Sequence, residues 1–238
     1  MSNTYFQFKE FTIHQDRCAM KVCTDACVLG AWFAEKMAHH SSILDIGSGT
    51  GLLMMMLAQK SKASIHGIEL DPVCFNQLNE NISRNEWKEK LTAWNGDVRT
   101  PDFQAKYDFI ICNPPFFQND LPAQNEEENI ARHSNQLSLF ELIQVIDEHL
   151  SPNGTFGILL PYTRWEYFNE LSQERHFYLR EKLFIRHSRA HDFSRAILHC
   201  SRCKENHIPV FELSIRSEDN ASYTPEFIAL LKDYYLYL

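Results

Sequence analysis

Past residue 40 the chain alternates between two kinds of apolar pattern. Residues 43–46 (ILDI) form a short, nearly unbroken apolar run of the kind that becomes a buried strand, and residues 52–59 (LLMMMLAQ) read as a buried helix. The alternation then repeats. Residues 64–70 (SIHGIEL) predict a second strand, and Asp71-Pro72 opens a helix to about residue 85, with Asp71 as cap and Pro72 in the first helical position. Strands follow at 91–94 and 107–112. An amphipathic helix spans 137–150 and is stopped by Ser-Pro-Asn-Gly; a strand at 155–160 and a helix at 163–173 come next. Residues 177–185 and 196–200 predict two strands joined by the basic segment Arg186-His187-Ser188-Arg189. Residues 209–216 continue as strand or loop, and 225–235 form a terminal helix. Ahead of this series, residues 5–16 alternate loosely and predict a strand or hairpin, and a helix runs from about 26 to 37 with Thr24 or Asp25 as its cap. Regular strand–helix alternation implies an α/β fold, a parallel sheet covered by helices on both faces. The expected division is an N-terminal extension and closing helix at 1–40, followed by one domain at 41–238. Ligands in such sheets sit at the carboxyl ends of the strands.

Three glycines at alternate positions, Gly47, Gly49 and Gly51, stand between the first central strand and its helix. Strand, glycine turn and helix N-terminus together make a nucleotide site, because glycine takes up positive φ and admits a ligand close to the backbone. The spacing is not the dinucleotide fingerprint, which needs its third glycine at Leu52. Asp45 lies inside the strand just before the turn. Its carboxylate repels a pyrophosphate and attracts an ammonium or a sulfonium.

Further polar residues fall at the ends of later strands. Glu69 closes the second strand, where an acid is placed to accept both ribose hydroxyls of a nucleoside. Asp97 follows Gly96 after the third, and Asn113-Pro114-Pro115-Phe116 follows the fourth. Two prolines fix φ and remove backbone donors, so the carbonyls there face no competing amide. The Asn113 side-chain oxygen and the Pro114 carbonyl are two acceptors for the two N–H groups of an exocyclic amine, and Phe116 or Phe117 can stack on a planar base. No nucleophilic side chain is needed. Group transfer to such a nitrogen asks the protein for positioning and electrostatic complementarity.

The pattern Asp45-x-Gly47-x-Gly49-x-Gly51 resembles the first motif of S-adenosylmethionine-dependent methyltransferases of the Rossmann-like class I. With Asn113-Pro114-Pro115-Phe116 it resembles the amino-methyltransferases that act on adenine N6, guanine N2 or glutamine N5. The segments 11–25, Leu29-Gly30-Ala31-Trp32, Ala131-Arg132-His133, 223–227 and 232–236 are similar to the bacterial tRNA1(Val) adenine-N6 methyltransferase family. That resemblance implies a mostly parallel seven-stranded sheet with a short N-terminal extension, and methyl transfer to an adenosine beside the anticodon. It further implies a cofactor site of Asp45, Gly47, Gly49, Gly51, Glu69, Leu70, Asp97, Val98 and Asn113. Asp97 would meet the adenine amino group, and residues 21–25 would close over the cofactor, with Lys21 and with Thr24 near its carboxylate. Glutamine-N5 and guanine-N2 transfer, or a non-catalytic RNA-binding or cofactor-sensing module, are the alternatives.

Charge sharpens the choice of partner. The 238-residue chain carries a net charge of −8, which argues against broad coating of DNA. Residues 180–204 reverse this locally, with seven Lys/Arg against Glu181 and Asp192 for a net +5. An acidic protein with one basic segment suits a structured RNA, and Arg132, His133, Arg186, Arg189 and Arg195 are the expected contacts. An anticodon-loop base already lies outside a duplex, so turning it into a site takes less energy than extracting a paired base. The acidic stretch 118–135 is the length of a functional or disordered loop. No apolar run is long enough to span a bilayer and no secretory signal opens the chain. The seven scattered cysteines read as reduced thiols, and the single Cys200-x-x-Cys203 lacks a second pair for zinc. The expectations are a cytoplasmic monomer with no metal and no membrane association.

Overall fold

The computed structural model describes residues 3–100, 105–114, 137–219 and 221–238. Ten strands and six α-helices are seen among them: β1 (Tyr5–Gln7), β2 (Thr12–His14), α1 (Thr24–Ala34), β3 (Ser42–Ile46), α2 (Leu52–Lys60), β4 (Ser64–Glu69), α3 (Pro72–Ser83), β5 (Leu91–Asn95), β6 (Tyr107–Cys112), α4 (Leu139–His149), β7 (Leu150–Pro161), α5 (Trp165–Glu174), β8 (Tyr178–Arg186), β9 (Arg195–Ser201), β10 (Val210–Ser214) and α6 (Pro225–Leu231). β1 and β2 make a separate hairpin, and the other eight strands form one sheet in the order β10-β8-β9-β7-β6-β3-β4-β5. Only β9 runs against its neighbours. The fold is the Rossmann-like class I methyltransferase fold.

The sheet therefore has eight strands and not the expected seven. Val210–Ser214 pairs in parallel with β8, residue 210 opposite 182 through 214 opposite 186, and caps what would be an open edge. β7 is also longer than its apolar stretch. The Ser-Pro-Asn-Gly segment, expected only to stop the preceding helix, belongs to the strand, and Tyr107 pairs with Leu150 before a register shift. α1 starts at Thr24 with Cys23 in the cap position, making no side-chain cap bond, and ends at Ala34; Thr24 and Asp25 fall in its first turn.

Local chemistry fixes the remaining boundaries. Asp71 caps α3 by accepting from the Val73 N–H at 2.8 Å. Ser138 and Glu141 form a reciprocal capping box on α4, and Thr224 caps α6 ahead of Pro225. Two cores flank the sheet. One joins α1, α2 and α6 with Phe8 and Ile13 of the N-terminal hairpin; the other joins α4 and α5 with Phe156, Phe168 and Phe177. Alternation along β3 sends Ile43 to the first and Leu44 and Ile46 to the second.

Candidate active site

Strand order reverses between β3 and β6: the chain moves from β3 outward through β4 and β5, then returns to β6 on the other side. This is the topological switch point, where a crevice opens at the carboxyl ends of the strands. Asp45 and Asn113 flank it. Asp45 lies opposite Ile111, so Asn113 comes two residues further along the neighbouring strand, with Cα atoms about 8 Å apart by strand geometry. Ile43 and Ile111 pack in the same core, so alternation directs Asp45 and Asn113 to that same face. The glycine turn follows directly. Gly47 and Ser48 donate to the Ile68 carbonyl at 3.0 and 3.1 Å, which binds the turn to the end of β4. All three glycines have positive φ (71°, 55° and 85°), and a Cβ at Gly47 or Gly49 would meet nothing within 4 Å. The turn is thus a cradle, with open space above its backbone.

The electrostatics around it are unusual. Asp45 is fully buried, and neither carboxyl oxygen has a hydrogen-bond partner among the described residues. The Ser48 hydroxyl donates to the Asp45 backbone carbonyl at 2.9 Å. Burial raises the Asp45 carboxyl to about 8, the Glu69 carboxylate adds to the rise, and Ser48 opposes it. The Asn113 side-chain oxygen is likewise shielded from solvent and unpaired, while its amide faces the Met20 sulfur at 4.0 Å. Two buried acceptors without donors are expensive in a folded protein unless a ligand completes them.

The other expected cofactor residues are already engaged. Glu69 accepts from the Gly49 N–H at 2.8 Å through one carboxyl oxygen and from the Asp71 N–H at 2.9 Å through the other. It thereby ties the glycine turn to the N-terminus of α3 and keeps lone pairs for hydroxyls. Asp97 is clasped by Arg99 through the backbone N–H and the guanidinium, at 2.6–3.0 Å, and Arg99 also reaches Glu141 at 3.1 Å. The Arg99 hydrogen bonds hold the Asp97 carboxyl below the ordinary carboxylate range. Leu70 is half exposed at the rim, whereas Val98 is buried in the α4/α5 core.

A strap formed by residues 15–25 crosses the mouth of the crevice. At one end it is fixed to α3. Arg17 donates its N–H to Gln77 at 2.8 Å, Gln77 donates to Asp16 at 2.8 Å, and Arg17 pairs with Glu80. Cys18 is disulfide-bonded to Cys74 in the first turn of α3. This corrects the expectation of seven free thiols: 56 residues of separation carry no pairing signal, and only the laying of the strap on α3 brings the two sulfurs together. Midway, Lys21 donates to the Gln15 carbonyl and Met20 lies at Asn113. At the far end, Thr24 opens α1, and Asp25 pairs with Arg195 of β9 at 3.0 Å.

Of the Asn-Pro-Pro-Phe motif, Asn113 and the buried Pro114 are described. Pro115 and Phe116, with Arg132 and His133, lie outside the described residues. The basic segment 180–204 is a hairpin, and the sheet divides it. β8 is parallel to the central strands, so Arg186, Arg189 and Arg195 sit at the carboxyl rim beside the crevice; Arg180, Arg202 and Lys204 lie at the opposite rim. Sequence reading missed Met20, Arg99 and the Gln77 bridge. A capped helix beside the glycine motif was the only available signal for the last, and none existed for the other two. No group of His, Cys, Asp and Glu among the described residues could hold a metal ion, and no described helix is long and apolar enough to cross a membrane.

The donor set fits a cationic nucleoside. A buried unpaired carboxyl suits a positive charge, the open glycine turn admits a ligand, Glu69 suits hydroxyls, and Asn113 suits an amine. Residues 27–161 match the methyltransferase small domain family. The chain is 40% identical to the tRNA1(Val) (adenine(37)-N6)-methyltransferase of Dyadobacter fermentans over 98% of each protein, and 35% identical to that of Bacteroides fragilis over 99% of each. Among solved structures, protein Atu636 of Agrobacterium tumefaciens superposes with a TM-score of 0.68 at 15% identity, covering 88% of this chain and 96% of that one. The ribosomal protein L11 methylase of Lactobacillus delbrueckii gives 0.58 at 17%, covering 80% and 83%. At these identities the two structures bear on the fold alone.

Proposed function

Because the chain belongs to the tRNA1(Val) (adenine(37)-N6)-methyltransferase family, within the methyltransferase small domain family, we propose that it methylates the exocyclic N6 amine of an adenosine beside the anticodon of tRNA1(Val), using S-adenosylmethionine. The observation that carries the reading is the pair of buried, unpaired acceptors, Asp45 and Asn113, on one face of adjacent strands at the switch point.

When bound, S-adenosylmethionine supplies a methyl group on a positively charged sulfur, open to displacement by an amine. Gly47, Gly49 and Gly51 would bring backbone to it without side chains in the way. Glu69 would accept its ribose hydroxyls and Asp97 would accept from its adenine amino group, with Leu70 and Val98 as apolar flanks. Lys21 and Thr24 lie on the strap that closes over it. Asp45 stands where the positive charge is held, and a cation beside it favours the carboxylate over the neutral acid. Asn113 accepts one N–H of the target amine through its side-chain oxygen, and the Pro114 carbonyl accepts the other. Both bonds enrich the nitrogen as it attacks and fix its approach. Phe116 would stack on the target base, and Pro115 belongs to the same motif; both lie outside the described residues. Arg132, His133, Arg186 and Arg189 meet the RNA, whose partnership places the protein in the cytoplasm.

Mass spectrometry of tRNA1(Val) from a strain lacking the gene is the test. N6-methyladenosine beside the anticodon is expected to vanish and to return with the wild-type gene but not with Asn113→Ala. An unchanged level overturns the substrate assignment.

A further inference from the structure

The rim next to Asn113 carries a feature that methyl transfer itself does not use. Tyr162 follows directly on β7, and Phe193 lies in the turn between β8 and β9. Their rings stand 5.3 Å apart, tilted by 36°, and the Tyr162 N–H donates to the Ser194 carbonyl at 3.0 Å. Phe184 supports both rings from below, at 4.9 Å from Tyr162 and 5.5 Å from Phe193. Tyr162 and Phe193 are partly exposed, whereas Phe184 is buried. Cations lie over rings of this cluster. The Arg186 guanidinium lies 4.8 Å from the Phe193 ring centre, and the Lys182 ammonium lies 5.3 Å from that of Phe184. Arg186 is held in place by Glu212 at 3.0 Å and by the Ser214 hydroxyl at 3.0 Å. Arg189 is exposed at the tip of the turn and has no ion pair among the described residues.

Position relative to the crevice follows from register. Cys112 pairs with Ile158, so Tyr162 lies three residues beyond the level of Asn113 on the next strand, about 11 Å away by strand geometry. The cluster packs on the α4/α5 side of the sheet, while Asn113 shares the other face with Asp45. The two thus stand on opposite sides of one rim, a few nucleotides of extended chain apart. A base turned down into the crevice leaves its neighbour at this height, outside.

We infer that Tyr162 and Phe193, flanked by Arg186 and Arg189, form a stacking platform for an unpaired base next to the target in single-stranded RNA. Half-exposed rings with flanking cations are the arrangement that takes bases without reading their sequence. The charge complements a phosphate backbone locally, on a protein whose net charge is −8. Arg195 does not belong to the platform, since Asp25 holds it. The inference rests on RNA being the substrate of the neighbouring crevice.

Fluorescence anisotropy of a labelled anticodon stem-loop of tRNA1(Val), over a salt series, tests it. Tyr162→Leu and Phe193→Leu keep apolar bulk and remove the ring; each is expected to weaken RNA binding by about tenfold, and affinity for S-adenosylmethionine stays at the wild-type level. Phe193→Tyr is expected to restore RNA binding. Arg189→Ala is expected to lower the salt slope by about one. Leucine variants that melt like wild type and bind RNA equally well overturn the platform. So does a Phe193→Tyr variant as weak as Phe193→Leu, which would mark the ring as packing only. Wild-type protein that binds S-adenosylmethionine but no stem-loop overturns the substrate reading itself and the platform with it, a result distinct from failure of the platform alone.

Discussion

The two halves of the carboxyl rim treat their polar groups in opposite ways. Around β3 and β6, Asp45 and Asn113 keep buried oxygens with no partner. Around β8 and β9, the charged side chains at this rim are mostly matched within the protein: Arg186 by Glu212 and Arg195 by Asp25. The first half is incomplete by itself and is finished by a small, buried, cationic ligand. The second is complete in water and trades some of its exposed contacts for those of a large anionic partner. Desolvated unpaired groups are worth more per contact than screened surface charges. Substitutions in the crevice should therefore produce the larger effects.

Asn113→Ala tests that contrast most severely. Activity is expected to fall by roughly 10²-fold or more, as for loss of one positioned hydrogen bond, with affinity for S-adenosylmethionine held within a few-fold. Parallel loss of both would show that Asn113 serves cofactor binding and not the amine. Asp45→Asn comes next, with S-adenosylmethionine affinity lowered by roughly 10- to 100-fold, the range for hydrogen bonds to charged groups. It also has a signature in pH. The carboxyl is raised in the folded state from 3.8 to about 8, so the folded protein holds a proton that the unfolded chain has lost. Stability that is fully present below pH 3.8 should decline as pH rises through about 8. Thermal melts of ligand-free wild type should show this slope and those of Asp45→Asn should flatten it. Below pH 8, binding of S-adenosylmethionine should release a proton, read as a buffer-dependent heat in calorimetry.

On the other half of the rim, Arg195→Ala should cost about 1 kcal/mol of stability in denaturant titrations, since its pair with Asp25 is partly buried. Arg189→Ala should leave stability unchanged and weaken stem-loop binding by only a few-fold. If Arg189→Ala destabilises the protein more than Arg195→Ala does, the division between pairing and spare arginines fails.

The parts of this molecule that follow from local pattern are legible in its sequence. Buried runs such as 43–46, the positive-φ glycines and the Asp71-Pro72 cap are each dictated by a few adjacent residues. Placing Asp45, Glu69, Asp97 and Asn113 on one rim needed only strand–helix alternation. What escaped depends on residues distant in sequence. Residues 209–216 read as strand or loop, and only the edge that β8 offers decides for a strand at Val210–Ser214. Cys18 and Cys74 meet because Gln77 and Glu80 seat the strap. One miss is local: Asp97 looks free in the sequence, and Arg99, two residues on, turns back to clasp it. The basic count over 180–204 was right in number but blind to the sheet, which sends Arg180, Arg202 and Lys204 to the opposite rim.

Residues 15–25 span from α3 to β9 and lie against Asn113 through Met20. A beam anchored on both banks transmits load. Gln77 and Glu80 become its abutment, and a substitution at either should shift Met20 and with it the Asn113 side chain whose amide it faces. Helix α3 thus carries, on its outer turns, a remote handle on the reacting end of the molecule.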